Sequence, residues 1–150
     1  WLDDFGFLEP ETEECAWNGG TNMVNQPNGA LCDVHGEVYA LYLPENNLTG
    51  TLPREIGLLA SMQSLWVAWN AIGGPIPDTA YDLDRLFLMW INGNELTGTI
   101  SEDVGKLSNL GGLWFTDNLL TGPLPSRISD LSNLVAFSVN DNVLTGPLPS

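Results

Sequence analysis

This sequence is poor in positive charge. Arg54, Arg85, Lys106 and Arg127 are its only basic residues, against 19 Asp and Glu, for a net charge of −15. Residues 1–37 carry eight of the acids and no base. A surface of this sign repels nucleic-acid phosphates and anionic membranes, so no nucleic-acid partner is expected, and a basic partner suits it better. Histidine is nearly absent, with His35 alone, and cysteine is limited to Cys15 and Cys32. That set cannot make a tetrahedral metal site, so no metal is expected. No apolar run approaches the ~18 residues that a membrane helix needs, so no membrane insertion is expected within this chain. The motifs of catalysis are missing too: no Gly-rich phosphate loop, no Gly-x-Ser-x-Gly, and no partner that would place the single histidine in a triad. Neither an enzyme nor a cofactor is expected.

What the chain does have is a repeat. Asn46, Asn70, Asn94, Asn118 and Asn142 follow one another at intervals of 24 residues. Each sits in the same apolar frame. Its first position is Val38, Met62, Leu86, Leu110 and Leu134, and its second is Leu41, Leu65, Met89, Leu113 and Phe137. Leu43, Val67, Ile91, Phe115 and Val139 complete the segment before the asparagine. Apolar residues alternate there, which predicts a short strand. Strands at the same place in successive coils must stack as a parallel sheet, about 4.8 Å apart. The asparagine amide can donate to and accept from backbone that no sheet covers, so the five asparagines are expected to form a structural ladder.

Residues 38–150 hold about five copies, with the last one expected to be truncated at Ser150. Residues 1–37 are expected to cap the open end of the stack. Residues 1–14 form a short amphipathic piece ended by Pro10, and a Gly/Asn-rich stretch from Asn18 to Gly29 reads as loop. Cys15 and Cys32 flank that stretch and suggest one disulfide and an oxidising compartment.

The frame L-x-x-L-x-L-x-x-N-x-L resembles the leucine-rich repeat. Its continuation Leu48-Thr49-Gly50-x-Leu52-Pro53 and the 24-residue period are similar to the plant-type subclass of receptor ectodomains and polygalacturonase inhibitors, a repeat also carried by algal and diatom proteins. Cys15-x-Trp17-Asn-Gly and Cys32-Asp resemble that family's N-terminal cap, with residues 18–31 longer than the usual spacing. The resemblance implies an α/β repeat solenoid, a right-handed leucine-rich repeat superhelix with a concave parallel β-sheet, in an extracellular or cell-surface setting. Within it, Asn47-Leu48-Thr49 is a glycosylation sequon at Asn47.

The candidate contact surface follows from strand alternation. Counting back four from each asparagine gives Tyr42, Trp66, Trp90, Trp114 and Ser138, an aromatic column on the outward side. Counting back one gives Glu45, Trp69, Gly93, Asp117 and Asp141. Tyr42, Trp66, Trp69, Trp90, Trp114, Asp117 and Asp141 are therefore the expected ligand-binding set. Aromatics dominate binding hot spots, yet rings ~4.8 Å apart also stack on each other and stabilise the sheet. Both readings stand at this point. The expected ligand is a peptide or protein with basic and apolar features, bound by a receptor-like protein that takes part in signal transduction. A carbohydrate is a further candidate, since sugars stack on Trp faces. The other readings are a secreted inhibitor of wall-degrading glycosidases and an acidic structural protein of a wall or matrix.

Overall fold

The computed structural model describes residues 18–21 and 27–149. The repeats wind into stacked coils, and each coil gives one strand to a seven-stranded sheet. Its strands, in spatial order, are β1 (Asn18–Thr21), β2 (Pro27–Cys32), β3 (Val38–Tyr42), β5 (Ser64–Trp66), β7 (Leu88–Trp90), β9 (Gly112–Trp114) and β11 (Ala136–Ser138). From β3 onward every pair is parallel and offset by one repeat, so Ala40, Ser64, Leu88, Gly112 and Ala136 stand side by side. Leu41, Leu65, Met89 and Leu113 turn inward and are almost wholly buried. The next residue of each strand turns outward, because successive side chains of a strand take opposite faces.

Within the stretch Asn18–Gly29, read from sequence as loop, the described residues 18–21 and 27–29 are strand. β1 and β2 form an antiparallel pair, and β2 runs antiparallel to β3 with Ala30 opposite Leu41. Asn-Gly and Gly-Gly pairs carry no alternating pattern that marks a strand. The pairing instead satisfies the free edge of β3, whose N–H and C=O groups would otherwise face no partner. Residues 1–14 and Cys15 lie outside the described residues.

A second, lateral sheet comprises β4 (Thr49–Thr51), β6 (Ala71–Pro75) and β8 (Glu95–Thr97), with β10 (Thr121–Gly122) and β12 (Val143–Leu144) as a separate pair. Here the register differs: Thr49 pairs with Ala71 and Gly73 with Glu95, an offset two residues shorter than in the main sheet. The Thr-Gly turns have positive φ at Gly50, Gly98, Gly122 and Gly146, as does Gly74 in the second repeat, where Gly73 replaces the threonine.

The third side of each coil is a 3-10 turn: Arg54–Leu58, Asp78–Asp82, Glu102–Lys106 and Ser126–Asp130. Among the described residues these turns supply all the helical structure of the fold. A 24-residue coil leaves only five residues per turn here, and a 3-10 turn spans its short run with more rise per residue than an α-helix. Pro53, Pro77 and Pro125 precede three of them in extended backbone. In the remaining coil Ser101 takes that place, and its hydroxyl caps the turn by accepting from the Asp103 N–H at 3.1 Å.

The core is one continuous column of Leu, Ile, Val and Met with Phe115 and Tyr81. It thins at the last coil. Phe137 and Leu148, core positions in the repeat frame, are exposed. The asparagines bind the coils together at the corner between the two sheets. Asn70 Oδ1 accepts from the N–H groups of Asn46 and Leu48, both at 2.9 Å, while its Nδ2 donates to the carbonyls of Leu43 and Val67. In Asn94, Asn118 and Asn142 the Oδ1 accepts from the N–H of Ile72, Leu96 and Leu120, and the Nδ2 again donates to two carbonyls, while the N–H groups of Asn70, Asn94 and Asn118 donate instead to the carbonyls of Gly93, Asp117 and Asp141.

Candidate recognition surface

The main sheet brings Tyr42, Trp66, Trp90 and Trp114 into one column on adjacent strands. The rings do not stack face to face. Tyr42 and Trp66 are 5.8 Å apart at 65°, Trp66 and Trp90 4.2 Å apart at 85°, and Trp90 and Trp114 4.9 Å apart at 74°. This edge-to-face arrangement puts the positive rim of one ring against the negative face of the next. Three such contacts contribute on the order of 2–3 kcal/mol beyond burial. The rings are half-buried, and the buried Trp90 indole N–H has no acceptor among the described residues. Much of the column therefore supports the sheet, and its faces are partly occupied by neighbouring rings.

The small residues beside the rings explain how they fit. Ala40 and Ser64 lie buried two positions before Tyr42 and Trp66 on the same face. Gly112 holds the equivalent place for Trp114, and a Cβ there would meet the ring at 2.3 Å. Trp114 thus folds back along its own strand, onto backbone.

The second predicted column differs from the first. Glu45, Trp69, Gly93, Asp117 and Asp141 all lie just past the strand in left-handed backbone, with φ between 54° and 66°. That conformation turns their side chains out along the rim. Asp and Asn tolerate it; for a bulky ring it is an outlier, and outliers of this kind cluster at functional sites. Trp69 adopts it at φ 58° and is 53% exposed. Its indole lies against Gly93, where a Cβ would come within 2.2 Å of the ring.

Beyond Trp114 the face becomes polar. The Thr116 and Ser138 hydroxyls are 2.7 Å apart, Ser138 donates to Asn140 Oδ1, and Asn140 Nδ2 donates to Asp141 Oδ2 at 2.6 Å. Asp117 and Asp141 are exposed on adjacent coils. The face therefore runs from rings to acceptors along the solenoid axis, with a negative rim.

Sequence reasoning missed Phe87. It stands one position before the outward strand residue Leu88, at the edge of the sheet, and is 55% exposed. Its ring lies over Gly111, whose Cβ would meet it at 2.5 Å. The signal was available: Tyr39, Gln63, Phe87, Gly111 and Val135 form a column outside the apolar frame, and an aromatic followed one repeat later by glycine marks a ring laid on backbone. Asn47 is exposed between β3 and β4. Cys32 is half-buried at the end of β2.

The coils, the parallel sheet and the asparagine corner define a leucine-rich repeat solenoid. Neither a family model nor a curated protein matches this chain. Solved structures do. The BIR2 ectodomain from Arabidopsis thaliana is 30% identical, with a TM-score of 0.78 over 91% of this chain and 76% of its own. The plant peptide hormone receptor RGFR1, solved in complex with RGF2, is 34% identical with a TM-score of 0.72 over 73% of this chain. A plant ice-binding protein is 25% identical with a TM-score of 0.73 over 90% of this chain. The chain spans only 18% of RGFR1 and 49% of the ice-binding protein. By its match to BIR2, this chain belongs to the plant-type extracellular leucine-rich repeat proteins.

Proposed function

We propose that this chain is a non-catalytic, extracellular recognition module whose concave face binds a peptide or protein, as part of a cell-surface receptor-like protein. The observation that carries this is Trp69: a large ring in a strained backbone conformation, exposed, on the rim of an aromatic face. Nothing in the packing of the repeat calls for a ring there, since the next coil has Gly93 in its place. Trp66, Trp90 and Trp114 form the floor, with Tyr42 at one end. Asp117 and Asp141 favour a ligand with basic residues. The peptide-bound receptor RGFR1 among the structural neighbours supports the same reading. A Cys15–Cys32 disulfide and a glycan on Asn47 belong to this extracellular assignment.

The test is selection of peptide binders from a random display library, followed by titration against wild type and Trp69→Gly. Binders are expected to be rich in Lys or Arg and aromatic residues, and the substitution is expected to weaken them at least about tenfold, a hot-spot loss of roughly 1.4 kcal/mol. Binders that are indifferent to Trp69→Gly would remove the concave rim from the binding surface.

A further inference from the structure

On the flank of the main sheet, beside but outside the aromatic column, Gln63, Arg85, Phe87, Asn109 and Asn133 line an open groove of ≈ 560 Å³. That is within the range of small-ligand clefts, about 300–1,000 Å³. We propose that this groove binds a neutral oligosaccharide, with one sugar ring lying on the open face of Phe87. This site is separate from the concave face and does not depend on the reading given to it.

The ring comes first. Phe87 is covered on one side by the Gly111 backbone and remains more than half exposed. Its ring is backed by the Gly111 backbone and reaches solvent. The column rings differ, because they meet each other edge to face. The C–H groups on the flat side of a sugar carry partial positive charge and are attracted to the negative face of such a ring.

The polar groups around it come next. Asn109 Nδ2 donates to the Asp84 carbonyl at 2.7 Å, and Asn133 Nδ2 donates to the Ser108 carbonyl at 2.8 Å. Each amide is thereby fixed with its Oδ1 turned away from that bond, and among the described residues neither Oδ1 receives a donor. Two oriented acceptors therefore stand on consecutive coils, about 4.8 Å apart. The lining also holds donors: the Gln63 amide, and the Arg85 guanidinium, which makes a long contact from Nη1 to Ser61 Oγ at 3.4 Å. Sugar hydroxyls both donate and accept, so they suit a rim that offers both.

Charge decides the remaining choice. In a chain of net charge −15, the lining holds no carboxylate among the described residues and one charge, the Arg85 guanidinium. A basic ligand is drawn to the acidic rims elsewhere, and a polyanion is repelled by the molecule as a whole. A neutral ligand is what this groove takes.

The experiment is titration calorimetry, or saturation-transfer NMR, of the folded chain with neutral gluco-, xylo- and manno-oligosaccharides. At least one series is expected to bind saturably, with Kd between about 10 μM and 10 mM. Phe87→Ala is expected to weaken it at least about tenfold and Phe87→Trp to preserve it. Asn133→Ala should weaken it as well, and Trp69→Gly should leave it unchanged. Absence of saturable binding in every series up to about 10 mM would overturn the proposal. So would binding that survives Phe87→Ala, or that is lost with Trp69→Gly, which would place the sugar on the concave face. Because Phe87 is a surface residue, its loss leaves the core intact, and circular dichroism of each variant separates a binding defect from misfolding.

Discussion

Trp69 rests on Gly93: the indole of one coil occupies the space that a side chain of the next coil would fill. Both residues are in left-handed backbone, where glycine is at ease and tryptophan is not. The pairing is a local compromise, in which one coil bears the strain and its neighbour makes the room. Trp69→Gly should consequently leave thermal stability nearly unchanged. Relief of about 1–2 kcal/mol of backbone strain offsets the lost contact of a half-exposed ring. A fall in melting temperature of more than a few degrees would mean that the indole is structural, and would undercut its assignment to ligand.

The asparagine ladder should fail differently. Asn94 is buried; its Oδ1 accepts from the Ile72 N–H at 3.1 Å, and its Nδ2 donates to the carbonyls of Val67 and Ile91, both at 3.0 Å. Asn94→Ala leaves these backbone groups without partners in the interior. At ~1–3 kcal/mol for a stranded group, the loss should be about 3 kcal/mol or more. Urea denaturation measures it. A loss below about 1 kcal/mol would show that water replaces the amide.

Glu102 links two convex turns. Its carboxylate accepts from the backbone N–H groups of Ser126 and Arg127 at 3.0 and 2.9 Å and from the Ser126 hydroxyl. The Arg127 and then the Ser126 backbone bonds hold its pKa below the ordinary glutamate value of 4.5. A depressed folded pKa contributes stability that is present above the ordinary value and is lost as pH falls through the folded one. Between neutral pH and acid, wild type should lose stability more steeply than Glu102→Gln below about pH 4.5. Parallel profiles for the two proteins would contradict this. Because the carboxylate is exposed, the difference is expected to be small.

Tyr81 carries the opposite sign. It is buried in the convex turn, where copies one and three have Gly57 and Gly105. Its hydroxyl has no hydrogen-bond partner among the described residues, and burial pushes its pKa up to about 12, against a smaller lowering pull from the Ser101 backbone. A raised folded pKa contributes stability that is present below the ordinary value of 10.0 and is lost as pH rises through about 12. Tyr81→Phe removes an unsatisfied hydroxyl and should raise stability at neutral pH by about 1 kcal/mol. It should also blunt alkaline unfolding above pH 10.0, followed by fluorescence against pH. A destabilised Phe variant would mean that the hydroxyl has a partner after all.

The repeat made most of the fold legible. Five asparagines at constant spacing, and apolar positions that keep the same distance from them, fix the coil, the inward face and the register, because identical coils can stack in few ways. The aromatic column could be counted off the same ruler. Strands β1 and β2 could not, since they are held by backbone pairing to the edge of β3 and leave no trace in side-chain order. Phe87 was overlooked because it falls outside the apolar frame, although the glycine one repeat later marks where its ring lies.

The sequence alone therefore determined the architecture and the list of outward residues, because periodicity is carried by side-chain type. Tertiary structure decided how those residues meet. It turned the column rings edge to face, put Trp69 on the rim in left-handed backbone, and set Phe87 against Gly111 on a second surface. Ring orientation depends on which neighbouring position in the next coil is small enough to receive it. That is a relation across coils, set only when the chain has wound back on itself.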